Sequence, residues 1–200
     1  MPLTQKSSNR GRKVVAWLLV VVTALVLAGL ALIYSGLYNV GADDPHLRPV
    51  YWMLDTLRSH SVEERAEGIK VPADLGSGER VTAGAGLYAE MCSGCHLAPG
   101  MEPTEIAQGL YPAAPVLARK SDLSPQEQFW IIKHGIKASG MAAWGKTHDD
   151  TLIWDMVAFL QKLPHLTPEQ YREIVAAAPE DHDEMMEHAD AGHDHSDHAH

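Results

Sequence analysis

The chain has 200 residues, 46% of them hydrophobic, and carries 26 Asp and Glu against 16 Lys and Arg, a formal net charge of -10. No Lys or Arg follows Arg172, and no basic stripe lies beyond the extreme N-terminal segment, which argues against a nucleic-acid partner. Once an apolar N-terminal run and an acidic tail are set aside, the length leaves room for one small domain.

Residues 1–13 hold Lys6, Arg10, Arg12 and Lys13. From Val14 to Tyr34 there are 21 residues without a charge, nearly all apolar, and Asp43 and Asp44 follow. At about 1.5 Å per residue such a run spans a hydrocarbon core. The positive-inside rule puts residues 1–13 in the cytoplasm, 14–34 in the membrane, and the rest outside. A cleaved signal peptide is the alternative, with Gly29-Leu30-Ala31 as the cut, but the apolar run is longer than a usual signal core and continues through Tyr34. Either reading exports the domain; the expectation is a single-pass protein of a bacterial inner membrane, facing the periplasm.

Residues 35–79 read as juxtamembrane helices and a linker. Asp43 or Asp44 is a candidate cap for a helix with Pro45 in its first turn. Tyr51, Trp52, Leu54 and Leu57 make that helix amphipathic, its aromatics placed either at lipid headgroups or on the following domain. Ser61-Val62-Glu63-Glu64 has the pattern of a capping box for a second short helix ending near Gly68. Lys70 to Glu79, with Pro72, Gly76 and Gly78, reads as linker. Val81 to Met91 then has helical spacing, and one turn is expected around Ile106 in a proline-bearing stretch. Ser124-Pro125-Gln126-Glu127 starts a helix that stops at Gly135. Thr147 is expected to cap a helix that ends at Pro164, with Asp149 and Asp150 favouring its N-terminal dipole. Thr167-Pro168-Glu169-Gln170 begins a last helix, placing a C-terminal helix at 165–178. No strand pattern competes.

Cys92-Ser93-Gly94-Cys95-His96 carries the chemistry. Cys-x-x-Cys-His is the attachment sequence of c-type haem: two thiols add to the two vinyl groups on one edge of the porphyrin, and the histidine is carried under the ring toward the iron. Cys92 and Cys95 are the chain's only cysteines. A zinc site would want a second pair of ligands, and a thioredoxin-like dithiol would want a βαβ pattern around it; the chain has neither. With both cysteines so used, none is left for a disulfide.

The order of elements from Val81 to Leu163 resembles a class I cytochrome c, and within that group the single-haem domain of cbb3-type oxidase subunit III. There a glycine and an aromatic precede the first cysteine by eight and four positions, matched by Gly84 and Tyr88. The resemblance implies an all-α fold around one covalent haem c, with residues 80–164 as the cytochrome domain. It implies that Gly84 lets the first helix cross the last one closely, with Tyr88 packed on the helix of Ile153, Val157 and Leu160. Gly140-Met141-Ala142-Ala143-Trp144 resembles the family's Gly-Met-Pro-Ala-Trp stretch, with Ala142 in place of proline. Met141 is thereby implied as the axial ligand opposite His96, with His134, His148, Lys146 or an open position as rivals. Met91 and Met101 lie too near His96 in sequence, and Met156 has core spacing. A backbone carbonyl is implied to fix the His96 tautomer. Pro115 matches best, with Leu117 packed on the ring and Pro112 as rival. Trp144, Tyr111 and Trp130 either wall the pocket or are ordinary core aromatics.

The function implied is single-electron carriage, not catalysis. The partners would be a quinol-oxidising complex, a terminal oxidase or a periplasmic oxidoreductase. Lys133, Lys137 and Lys146 are either a positive docking rim or plain solvated lysines. Residues 179–200 hold six histidines and eight Asp or Glu, cannot bury a core and read as a disordered tail able to take Cu²⁺, Ni²⁺ or Zn²⁺. Two rivals stay open: a metal-handling or metal-sensing haem protein, and a haem enzyme or gas sensor with a labile Met141.

Overall fold

A computed structural model describes residues 5–179, and the fold among them is all-α, with no strand. The chain divides after Asp44 into two units.

The first unit is the helix α1, Gln5–Ser35. Within its stretch Asn9–Ser35 an 18-residue window reaches a mean hydropathy of 2.7, and none of that window is buried within the protein. A helix of this length and composition is long enough to cross a bilayer. Asp43 and Asp44 cap no helix: Asn39 donates to Asp44, and the Asp44 N–H closes a turn on the Gly41 carbonyl.

The second unit starts at Pro45. Its first helix, α2, runs unbroken from Arg48 to Ala66, so the two short helices expected here are one. No glycine or proline interrupts residues 50–66, and Ser61 caps nothing; its hydroxyl accepts from Arg65 one turn on. Pro49 sits in the first turn instead of Pro45, and Leu47 precedes the helix without a side-chain cap. The C-terminal half of α2 buries Val62 and Ala66, and the helix packs on α6 (Pro125–His134), whereas Trp52, Met53 and Leu57 are exposed.

The core forms where α3 (Gly78–Leu87) crosses α7 (Asp150–Lys162). A Cβ on Gly84 would stand 1.9 Å from the Asp155 carbonyl oxygen, so the crossing is closed to any larger residue. One cluster joins Leu87 to Phe129, Ile132, Ile153, Met156 and Val157; a second joins Val81 and Tyr88 to Ala158, Phe159 and Leu163. Tyr88 packs on α7, the helix expected, through Phe159 at 5.3 Å between ring centroids; Ile153 and Val157 of that helix belong to the cluster of its neighbour Leu87. Leu75, in the stretch read as linker, packs against both clusters. The last helix, α8 (Pro168–Ala176), folds back on α3 through Tyr171, Ile174 and Val175.

The cap reading holds at α6, where Ser124 and Glu127 form a reciprocal box and Gly135 closes the helix, and at α8, where Thr167 and Gln170 do the same. It fails at α7. Asp149, not Thr147, accepts from the Leu152 N–H, while the Thr147 hydroxyl is engaged by the Trp144 carbonyl and the His148 ring. The acidic, histidine-rich segment lies outside the described residues.

Candidate functional site

Four residues, Tyr88 to Met91, join α3 to the cysteine motif. Tyr88–Cys92 form a π-helical turn, and the helical turn α4, Ser93–His96, follows. π-bulges collect at functional sites because they re-aim the residues after them. Cys92 and Cys95, three apart on helical backbone, fall on one face. Both are free and partly accessible. Burial pushes the Cys92 thiol up to about 12. A redox dithiol needs the opposite, a depressed pKa that supplies thiolate.

His96 ends α4 with its ring held by the chain. Its Nδ1–H donates to the Pro115 carbonyl at 2.8 Å, the contact expected of Pro115 and not of Pro112. Burial lowers the pKa of the ring, opposed by that bond; this favours the neutral imidazole, and with the proton on Nδ1 the lone pair is on Nε2. The strap returns a second bond, from Leu117 N–H to the His96 carbonyl at 3.3 Å. Leu117 itself is half-buried against the Tyr88 cluster. Thr104, which caps the short helix α5 (Glu105–Gly109), donates its hydroxyl to the Gly94 carbonyl between the two cysteines, a contact no sequence pattern announced.

Met141 stands on the other cluster. It and Trp144 are half-buried against the group of Leu87, Phe129 and Ile153. The loop that carries it is pinned: Met141 N–H donates to Ser139 Oγ at 3.2 Å, and its carbonyl accepts from Ile136 N–H at 3.2 Å. Gly135 makes this possible. It has φ 64°, and a Cβ there would stand 2.7 Å from the Met141 carbonyl oxygen. One glycine thus stops α6 and lets the methionine loop lie on the helix end; only the first role could be read from sequence.

The rivals to Met141 are otherwise employed or exposed. Met156 is buried in the core and Met101 is exposed. His148 is buried, bonded through Nδ1 to the Thr147 hydroxyl and set edge-on to Trp144 at 5.5 Å. His134 is exposed beside Trp130. Tyr111, a candidate pocket wall, faces the chain before α2, where its hydroxyl accepts from His46 N–H at 2.9 Å. Lys133 is no free rim charge; Nζ pairs with Asp150 at 2.5 Å and lies over the Phe129 ring.

The donor set suits a c-type haem: two thiols on one helical turn, a neutral imidazole with one nitrogen committed, a thioether on a pinned loop. Among the described residues no cluster of three or more His, Cys, Asp or Glu offers an alternative metal site. Residues 79–160 match the family model described as cytochrome c oxidase, cbb3-type, subunit III. No curated protein and no solved structure gives a significant match. The helical segment from α3 to α7, with its cysteine motif and glycine crossing, is a cytochrome c domain of the cbb3-like type with the class I fold.

Proposed function

We propose that this protein is a membrane-anchored carrier of single electrons. A cytochrome c domain implies haem c, which when bound supplies one-electron redox chemistry. Cys92 and Cys95 would hold it by thioethers, and His96 and Met141 would be its protein ligands. Pro115 sets the His96 tautomer, and Leu117 and Trp144 pack the pocket. With His96 and Met141 both engaged as ligands, the group would serve electron transfer and not substrate binding. A thioether ligand favours the reduced state and raises the potential.

The observation that carries this reading is the His96 Nδ1–Pro115 bond, made between residues 19 apart and fixing the one tautomer that presents Nε2 to iron. The redox partners proposed are a quinol-oxidising complex, a terminal oxidase or a periplasmic oxidoreductase. The limits proposed are 1–13 inside, 14–34 in the membrane and 80–164 carrying the haem on the periplasmic face. The tail, 179–200, adds a divalent-metal-binding appendage outside the electron path, on the density of its imidazoles and carboxylates.

Ligand substitution tests the reading. Cys92→Ala or Cys95→Ala abolishes stable covalent haem staining. Met141→Ala retains staining, lowers the potential and lets the reduced protein bind carbon monoxide, which the wild type does not. Carbon monoxide binding by the wild type removes Met141 from the site and favours the sensor or enzyme reading.

A further inference from the structure

Leu97, the residue after His96, has φ 60° and ψ 173°. This corner of backbone space belongs to glycine, because a Cβ crowds the preceding carbonyl there. A leucine stays in it only if the surroundings over-determine the backbone.

Three bonds do so. Leu97 N–H donates to the Ser93 carbonyl at 2.9 Å, and the His96 carbonyl just before it accepts from Leu117 N–H. The Leu97 carbonyl accepts the hydroxyl of Tyr88. The first two come from the helical turn and the loop strap. The third comes from the core. Tyr88 is fully buried, tilted on Phe159 and edge-on to Tyr171 at 6.5 Å. Its ring cannot turn away, and a buried phenol needs a partner. Burial also raises its pKa, which keeps it a donor. The Leu97 carbonyl is the acceptor the structure gives this hydroxyl.

We propose that Tyr88 is a positioning residue for His96: through the Leu97 carbonyl it holds the residue after the histidine in a conformation leucine would leave, and so fixes the imidazole. The inference rests on the haem reading above. If the hydroxyl is lost, Leu97 relaxes toward negative φ and the 96–97 peptide turns. The Leu117–His96 bond is then strained, and the ring shifts on its Pro115 anchor. The ring packing of Tyr88 in the helix crossing is a separate role that phenylalanine keeps.

The test uses the full-length, haem-loaded protein as wild type, Tyr88→Phe, Leu97→Gly and the double variant. The readouts are midpoint potential and the paramagnetically shifted NMR resonances of the His96 ring and haem methyls. Tyr88→Phe is expected to move both. Leu97→Gly is expected to leave both near wild type, because glycine occupies this conformation unforced. In the glycine background Tyr88→Phe loses most of its effect. If Tyr88→Phe alone fails to load haem, rescue of loading by Leu97→Gly supports the proposal, and failure of rescue overturns it. Unmoved His96 resonances and potential in Tyr88→Phe, or an equal shift in both backgrounds, also overturn it. Absence of covalent haem from the wild type would overturn the haem reading itself.

Discussion

At the scale of single residues, Asp155 is the most consequential side chain outside the site. It lies on α7 among buried neighbours, and Arg80 from α3 reaches it at 2.6 Å while also holding Asp74 at 3.0 Å. Burial pushes the Asp155 carboxyl up to about 6, outweighing the pull of Arg80; Asp149 and Asp74 add to the rise. Because the folded pKa exceeds the ordinary value of 3.8, the folded state holds this proton more tightly than the unfolded chain. Its stabilising contribution is complete below about pH 4 and is lost as pH rises through about 6, on the order of 1–3 kcal/mol. Asp74 runs the other way: Arg80 lowers its pKa, so its contribution is lost only as pH falls below the usual carboxylate range. Guanidinium unfolding of the haem-loaded protein between pH 4 and 7 reads the difference. Asp155→Asn should remove the decline between pH 4 and 6; a variant with the wild-type slope would show that another group titrates there.

At the scale of elements, the α3–α7 crossing governs the domain, and Gly84 governs the crossing. An alanine Cβ would meet the Asp155 carbonyl oxygen at 1.9 Å, its carbon at 2.5 Å and the Phe159 Cβ at 3.0 Å. Two of these are backbone atoms, so the helices must part. Gly84→Ala should therefore destabilise the protein by about 3 kcal/mol, despite alanine's better helix propensity. A thermal midpoint at or above wild type would mean that the helices do not approach as described. This crossing was legible because glycine at that spacing before Cys92 is a family feature. The helix starts at Ser124 and Thr167 were legible because a capping box is local, written within four residues. Elsewhere the deciding contact lay outside the motif. Ser61 looks like a cap, yet nothing before it stops the helix. Thr147 looks like the α7 cap, yet Trp144 and His148 engage its hydroxyl first. The Tyr88 hydroxyl, the strained Leu97 and the Thr104–Gly94 bond join segments whose meeting no periodicity encodes.

At the scale of the whole molecule, the question is what keeps an electron carrier beside its partners. The proposed answer is the apolar helix α1. The stretch Asn9–Ser35 offers no buried face to a protein core, and its basic residues cluster at the N-terminal end. Surface charge could hold an acidic protein at a membrane only weakly, and about 1 M salt shrinks its reach to about 3 Å. An apolar span is indifferent to salt. The native protein should therefore remain with the membrane fraction after a high-salt wash and leave it only with detergent. A reporter that works only outside the cytoplasm, fused after Leu163, should be active, because the four basic residues Lys6, Arg10, Arg12 and Lys13 favour an N-terminus inside by the positive-inside rule. Recovery of a shortened, haem-stained protein from the soluble periplasm would mean that the apolar run is removed as a signal. The carrier would then diffuse between its partners, and the proposed membrane placement would fall while the haem site stood.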